Sequence, residues 1–267
     1  GGGLDVAGTA FIVPDVAVKP GTPAIVRVQG RGTPTAVLSL LDRPPLSVLS
    51  KSDLPVDLAR GSVELAGTLA LPMQEVITLA DMQYHASGTI RDVTSEVLVP
   101  GHPLSADALE VFVDNDGVRI GGEGEISGIP ASFTWTQALG VPGAGSRVTG
   151  RAPLTPEAVR IFRLGLPEGM VSGRAMADLA VDLGGGQPPR LSVQSDLDGL
   201  GLSVPSLGWS MSRGATGRLN VAATLGSAPR VDSLSLTGGG LALSGRVTTK
   251  AGGQFDQAIF DSLRIGD

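Results

Sequence analysis

Residues 54–71 read LPVDLARGSVELAGTLAL, and the second half of this stretch alternates apolar with polar or small side chains. The aliphatic residues of one parity are Val63, Leu65, Leu69 and Leu71. The other parity holds Ser62, Glu64, Ala66 and Thr68. A period of two is typical of a β-strand with one apolar face and one face toward water. The stretch therefore predicts a strand that presents an aliphatic face.

The same pattern returns in the second half of the chain. Leu-Pro at residues 166–167 precedes Gly173 by the spacing that separates the first Leu-Pro from Gly61. Apolar residues then share one parity from Ala175 to Leu183, and Val181 is among them. A repeat on the order of 110–120 residues indicates an array of similar β units. We predict two β-groove units, at residues 1–145 and 146–267.

A short helix is predicted ahead of each of these two strands. The first helix lies near residues 34–42, where Thr33 or Thr35 can cap the start and Pro44-Pro45 ends it. The second lies near residues 155–164, with Thr155 as N-cap and Pro156 at the first helical position.

Alternation predicts the remaining strands as well. In the first half they are residues 4–13, 24–29, 76–79, 82–90 and 93–99, then an antiparallel meander with a hairpin turn at residues 114–117. In the second half they are residues 173–183, 190–198, 200–204, 215–225, 231–237 and 241–248. Strand parity adds four residues to the apolar faces, namely Leu109, Val111, Leu219 and Val221.

The composition favours a thin sheet over a thick globule. Hydrophobic residues are 42% of the 267 residues but aromatic residues only 3%, so large rings contribute little to packing. The net charge is −6 with no basic block, which argues against nucleic-acid binding. The absence of cysteine excludes disulfides. Without a signal peptide or a long apolar run, the chain is expected to be a piece of a longer protein whose membrane anchor lies elsewhere.

Few residues of the chain are suited to chemistry. His85 and His102 have no second His or Cys nearby that would complete a metal site. The turn at residues 114–117 has a faint calcium-loop pattern, but the further spaced oxygens and the terminal Glu are missing. The glycine clusters at 121–124 and 238–240 do not fit a dinucleotide fingerprint. No catalytic residue, metal or cofactor is expected, and the protein is not expected to be an enzyme.

The one-sided aliphatic face leaves two interpretations open. Two sheets can cover each other in a sandwich, or the face can stay open as a slot that lipid tails cover. Burial of a methylene is worth about 0.8 kcal/mol, so a long acyl chain needs apolar cover worth on the order of 10 kcal/mol. An aliphatic groove that matches the bilayer interior would make the transfer between them nearly neutral.

The motifs of the chain follow one another in a specific order. A short helix and Leu-Pro precede Leu69-Ala70-Leu71-Pro72, Ala86-x-Gly88, Val99-Pro100-Gly101 with Leu104, Leu109-x-Val111, Val118-x-Ile120-x-Gly122, Ile126-x-Gly128-Ile129-Pro130 and Trp135. This order resembles the AsmA-like family of bacterial envelope lipid-transfer proteins, of the YhdP and TamB type, in its AsmA-like C-terminal region. The resemblance covers nearly the whole chain and is clearest in residues 31–136.

The resemblance implies an extended, twisted antiparallel sheet, curled into an open apolar groove and built from repeats with short helices. It implies a location in the periplasm, as part of a protein anchored in the inner membrane, and glycerophospholipid acyl chains as the partner. The expected lining is Val63, Leu65, Leu69, Leu71, Leu109, Val111, Val181, Leu219 and Val221. The alternative is a β-sandwich or solenoid spacer of a cell-envelope or surface protein that binds no ligand, although a solenoid would repeat every 20–30 residues or so.

Overall fold

The fold is mainly β, as the alternating sequence predicts. The computed structural model describes residues 3–14, 23–41, 55–74, 78, 81–139, 141, 143–184, 186–226, 229–249 and 255–266. Fourteen strands form one antiparallel sheet, which is not closed. Three short strands form a second sheet.

The elements of the first half are β1 (Ala10–Ile12), β2 (Pro23–Gly32), α1 (Pro34–Leu41), β3 (Arg60–Pro72), β4 (Gln83–Ser95), β5 (Leu104–Asp114), β6 (Gly117–Ile126) and β7 (Ile129–Ala138). Those of the second half are β8 (Ser146–Leu154), α2 (Pro156–Ile161), β9 (Val171–Gly173), β10 (Ala175–Leu183), β11 (Arg190–Ser195), β12 (Leu200–Val204), β13 (Trp209–Met211), β14 (Gly217–Thr224), β15 (Arg230–Gly238), β16 (Leu241–Thr249) and β17 (Phe255–Ile265). The small sheet has the order β13-β12-β9, and the other strands follow chain order in the large one.

The chain divides into two compact units. Unit 1 comprises residues 1–128 and 134–144, and unit 2 comprises residues 129–133 and 145–267. Each unit contains a helix in the connection between two strands that pair with each other, β2 with β3 and β8 with β10. The assignment of residues 1–145 and 146–267 to repeated groove units stays a prediction.

Both predicted helices are present, and a threonine caps each of them. The amide of Ala36 donates to Thr33 Oγ1 over 3.2 Å, and that of Ala158 donates to Thr155 Oγ1 over 3.1 Å. These bonds satisfy amides that the first helical turn leaves without a partner. Pro44-Pro45, predicted to end α1, lies outside the described residues.

The hairpin turn at residues 114–117 is also confirmed. Asp114 Oδ1 accepts hydrogen bonds from the amides of Asp116 and Gly117, each over 3.0 Å. The side chain of Asn115 reaches the neighbouring hairpin end, where it accepts from the amide of Tyr84 over 3.0 Å and donates to the Met82 carbonyl over 2.8 Å. The turn therefore organises two strand ends.

Several strands differ from their predicted limits. The prediction of a separate strand at residues 93–99 is wrong, because β4 continues to Ser95 and residues 96–101 form a turn. Most of the predicted strand at 4–13 is irregular, and only Ala10–Ile12 pairs as β1. The strands β8 and β17 were not predicted. The segment at 200–204 is a strand, but it pairs in the small sheet.

Candidate functional site

One face of the sheet in unit 1 is aliphatic across several strands. Residues directly opposite in an antiparallel pair project from the same face. Val63 on β3 lies opposite Ile90 on β4, which lies opposite Leu109 on β5. Leu65 and Val111 are likewise connected through Gly88 between them. The register thus places all six of the expected lining residues of unit 1 on one face.

The opposite face of the same strands is polar. Glu64, which alternates with Val63 and Leu65, lies opposite Arg31, and the two side chains form an ion pair of 3.0 Å. Thr89 and Glu110 continue this row across β4 and β5. The segregation of side chains is therefore a property of the paired strands and extends beyond β3.

Unit 2 shows the same segregation. Val181 lies opposite Val148 on one side and Leu191 on the other, and Val221 lies opposite Val193. The alternate positions carry cross-strand ion pairs, Arg147 with Asp182 at 2.8 Å and Arg151 with Asp178 at 2.9 Å. The lining residues expected in unit 2 are Val181, Leu219 and Val221, and they share this aliphatic face.

Burial is uneven along the aliphatic face of unit 1. Val63, Leu109 and Val111 are buried, with relative exposures of 4%, 5% and 7%. Leu65 and Leu69, farther along β3, are only half-buried. The protein covers the face near the start of β3 and leaves its continuation partly open.

Unit 2 covers one end of its aliphatic face with a second layer. A core cluster joins the large sheet to the small one, and its buried members are Val171, Ala175, Leu197, Leu200, Trp209, Met211 and Leu241. Leu219 packs against this cluster, together with Leu236 and Leu243. Trp209 is fixed there by a 2.8 Å hydrogen bond from Nε1 to the Gly239 carbonyl. Leu219 therefore serves a protein core, whereas Val181 and Val221 stay half-buried outside the cluster.

Tyr84 reports the environment at the half-buried end of unit 1. It lies on the aliphatic face, directly opposite Leu69. Burial raises the pKa of its phenol above the usual value, and the nearby carboxylate of Asp114 raises it further. Both effects disfavour the phenolate: the first because the half-buried phenol is partly shielded from water, and the second because two negative charges repel each other.

The aliphatic faces include residues that the sequence alone did not assign. They are Val26, Tyr84, Ile90, Val148, Leu191, Val193 and Leu234. All of them except Val148 belong to strands that the alternation predicts, so their parity was readable. The missing information was the register between strands, which decides which alternate residues of one strand lie on the same face as those of its neighbour.

The described residues show no cluster suited to metal binding. Among them, no group of three or more His, Asp or Glu side chains could hold a metal ion. His85 is exposed on the polar side of β4, and His102 Nδ1 lies 3.0 Å from Ser127 Oγ. In the same part of the chain, no helix has the length and apolar character to cross a membrane.

The comparisons with known proteins add no relative. No protein-family model, curated protein or solved structure matches this chain.

Proposed function

We propose that the chain is a segment of a periplasm-spanning, bridge-like protein of AsmA-like type, anchored in the inner membrane. It conducts glycerophospholipids between the inner and outer membranes along its aliphatic sheet faces. The observation that carries the proposal is a row of half-buried aliphatic side chains on one face of the sheet in each unit, while the opposite face carries polar side chains and ion pairs. The family resemblance supplies the location and the lipid class.

The half-buried residues suit a weak and repeated grip on acyl chains. Leu65, Leu69, Val181 and Val221 expose part of their aliphatic surface, which a lipid tail can cover. Each methylene that leaves water contributes about 0.8 kcal/mol, whether it enters a bilayer or this face. Transfer is therefore nearly neutral and needs no catalytic group. The headgroup stays in water while the tails slide along the face.

The test is the lipid content of protein purified without detergent, measured by mass spectrometry. Leu69→Asp puts a carboxylate on the half-buried face and should reduce bound phospholipid roughly tenfold, because burial of an unpaired charge is costly. Thr68→Asp is the matched control, since the exposed Thr68 lies on the polar face opposite Arg27. Val111→Asp is less suitable, because Val111 is buried and its loss would perturb folding.

Wild-type protein and Thr68→Asp should carry phospholipid, and Leu69→Asp should carry little while its circular dichroism is unchanged. Absence of lipid from the wild-type protein would remove the proposal.

A structural spacer without ligand is the second candidate, and the core cluster of unit 2 favours it. There the aliphatic face is covered by protein, as in a sandwich. The two candidates differ at Val181, outside the cluster. A spacer would tolerate Val181→Ser with no change in any bound molecule, whereas a lipid conduit would lose part of its lipid.

A further inference from the structure

The small sheet of unit 2 has two unlike faces. Leu200, Trp209 and Met211 point into the core cluster. The alternate positions form an outer face of serines, in which Ser203 on β12 lies opposite Ser210 on β13. Ser172 on β9 lies opposite Gly201 on β12. Three strands therefore each contribute one hydroxyl to the same surface.

An arginine side chain lies across two glycines of this sheet. A Cβ atom at Gly201 would meet Arg213 Cγ at 3.3 Å and Ser172 Oγ at 2.6 Å. A Cβ atom at Gly173 would lie 3.1 Å from both Cδ and Nε of Arg213. The two glycines leave the space in which the arginine packs, so its stem is held against the sheet although the residue as a whole is exposed.

The serines and the arginine border one concavity of about 320 Å³. None of the described residues that line it is acidic. In the described part of the chain, Arg213 forms no ion pair, and the hydroxyls of Ser203 and Ser210 have no hydrogen-bond partner. By contrast, Arg147, Arg151 and Arg246 on the large sheet all pair with aspartates. Ser172 Oγ lies 3.5 Å from the Gly201 carbonyl, to which it donates. The concavity thus holds the guanidinium of Arg213 and the hydroxyls of Ser203 and Ser210 as donors without a partner in the described residues.

We infer that this concavity is a binding site for an oxyanion of the phosphate class. A guanidinium presents a planar fork of donors that matches two phosphate oxygens, and hydroxyls can donate to the third. The inference does not rest on the lipid groove, because the serine face points away from the core cluster. Two sources share the chemistry: a soluble phosphate or phosphomonoester, and the headgroup of a phospholipid at a membrane surface.

The first experiment titrates the full chain with inorganic phosphate, in a buffer without other oxyanions, and follows amide chemical shifts by NMR. Saturable shifts are expected at Ser172, Ser203, Ser210 and Arg213. Arg213→Gln should weaken binding on the order of tenfold or more, since it removes the charge-assisted bonds. Arg218→Gln is the control, because Arg218 is exposed on β14 of the same unit and lies outside the concavity.

The second experiment sediments the same three proteins with vesicles of phosphatidylglycerol or of phosphatidylcholine. If either vesicle binds the wild-type protein and the Arg218→Gln variant but binds the Arg213→Gln variant more weakly, the lipid headgroup is a source of the oxyanion. Phosphate binding without vesicle binding assigns a soluble phosphate, and both results support the site. The inference is overturned if neither ligand binds saturably, or if both variants lose binding equally. Lipid content in the groove does not enter this test, so the two proposals can fail separately.

Discussion

The two units close a similar strand end with the same serine hydrogen bonds and differ in the chain that follows it. In unit 1, β4 ends at Ser95, whose Oγ donates to the Leu58 carbonyl over 2.6 Å and accepts from the amide of Val97. In unit 2, β11 ends at Ser195, whose Oγ donates to the Met176 carbonyl over 2.8 Å and accepts from the amide of Leu197. Both serines are buried, at 5% and 7% exposure. The strand ends are thus closed by the same device.

The chain then diverges. In unit 1 the short connection, residues 96–103, returns directly to β5 and leaves Val97 42% exposed. In unit 2 the long connection, residues 196–216, buries Leu197 to 1% and forms β12 and β13 above the large sheet. The two connections therefore differ in what they add, because only the long one builds a second layer over the sheet, whereas Val93, Leu104 and Ala106 beside the short one are buried without such a layer.

The largest change in stability is expected from truncating the side chains two residues after Ser95 and Ser195, which are Val97 and Leu197. Leu197→Ala should lower the free energy of unfolding by about 2–5 kcal/mol, because it leaves a cavity in the core cluster. Val97→Ala, at the equivalent position of unit 1, should change it by less than about 0.5 kcal/mol. Urea unfolding followed by circular dichroism measures both. Equal losses for the two variants would contradict the contrast between a sealed and an open connection.

A smaller effect is expected from the serines themselves. Ser95→Ala leaves the amides of Val97 and Leu98 without their side-chain acceptor, and Ser195→Ala does the same for Leu197. Ser195→Ala should lose about 1–3 kcal/mol of stability, because the buried amide of Leu197 loses its partner, and Ser95→Ala should fall at the lower end of this range, because its bonds are only partly buried. Ser192→Ala, at an exposed position of β11, is the control. A silent Ser95→Ala would show that the two strand ends are not equivalent.

Sequence reasoning succeeded where side-chain parity decides the structure. The alternation through β3 and the Asp114 turn required only local patterns. It missed β8 because its aliphatic parity contains Gly150 and Ala152, whose small side chains weaken the signal. Strand β17 was missed because Ser244 pairs with Ser262 and Gly245 pairs with Phe260, so that Asp261 is an extra residue on β17. This bulge breaks the period of two in the sequence of β17.

The sealing of Leu219 could not be predicted from parity. Residues 200–204 alternate as any strand does, and nothing local indicates that they pair with β9 and β13 instead of the large sheet. That choice depends on Trp209 and Leu197, which fill the space between the two sheets. Parity shows that a side chain faces an apolar side, and only tertiary packing shows whether protein covers it.

The two helix caps provide a further comparison of the units, with an expected loss of stability of about 1 kcal/mol for each cap. Thr33→Ala and Thr155→Ala each remove the acceptor of one helix amide, and each should cost about 0.5–2 kcal/mol. Thr155→Ser keeps the acceptor and serves as the control. Thermal unfolding measures all three. An unchanged midpoint for Thr33→Ala would show that α1 gains its stability from packing against β3 and not from its cap.

The smallest effect is expected for the pH dependence of stability at the half-buried end of unit 1. Tyr84 lies there, and because it is the single tyrosine of the chain, its ionisation can be followed by absorbance. Burial, and to a lesser extent Asp114, raise the pKa of its phenol in the folded state. The neutral phenol therefore stabilises the fold fully below the unfolded pKa near 10, and that contribution is lost as pH rises through the folded pKa.

Absorbance titration of phenolate formation should give a midpoint above 10 for the folded protein and about 10 in urea. Tyr84→Phe should flatten the loss of stability above pH 10 relative to the wild-type protein. Asp114→Asn should lower the folded midpoint only slightly, because the charge is the smaller of the two causes. Bound lipid should raise the midpoint further, since acyl chains beside Leu69 would exclude more water from the phenol. An ordinary midpoint in the folded, lipid-free protein would mean that this end of the face is fully solvated, unlike the sealed end of unit 2.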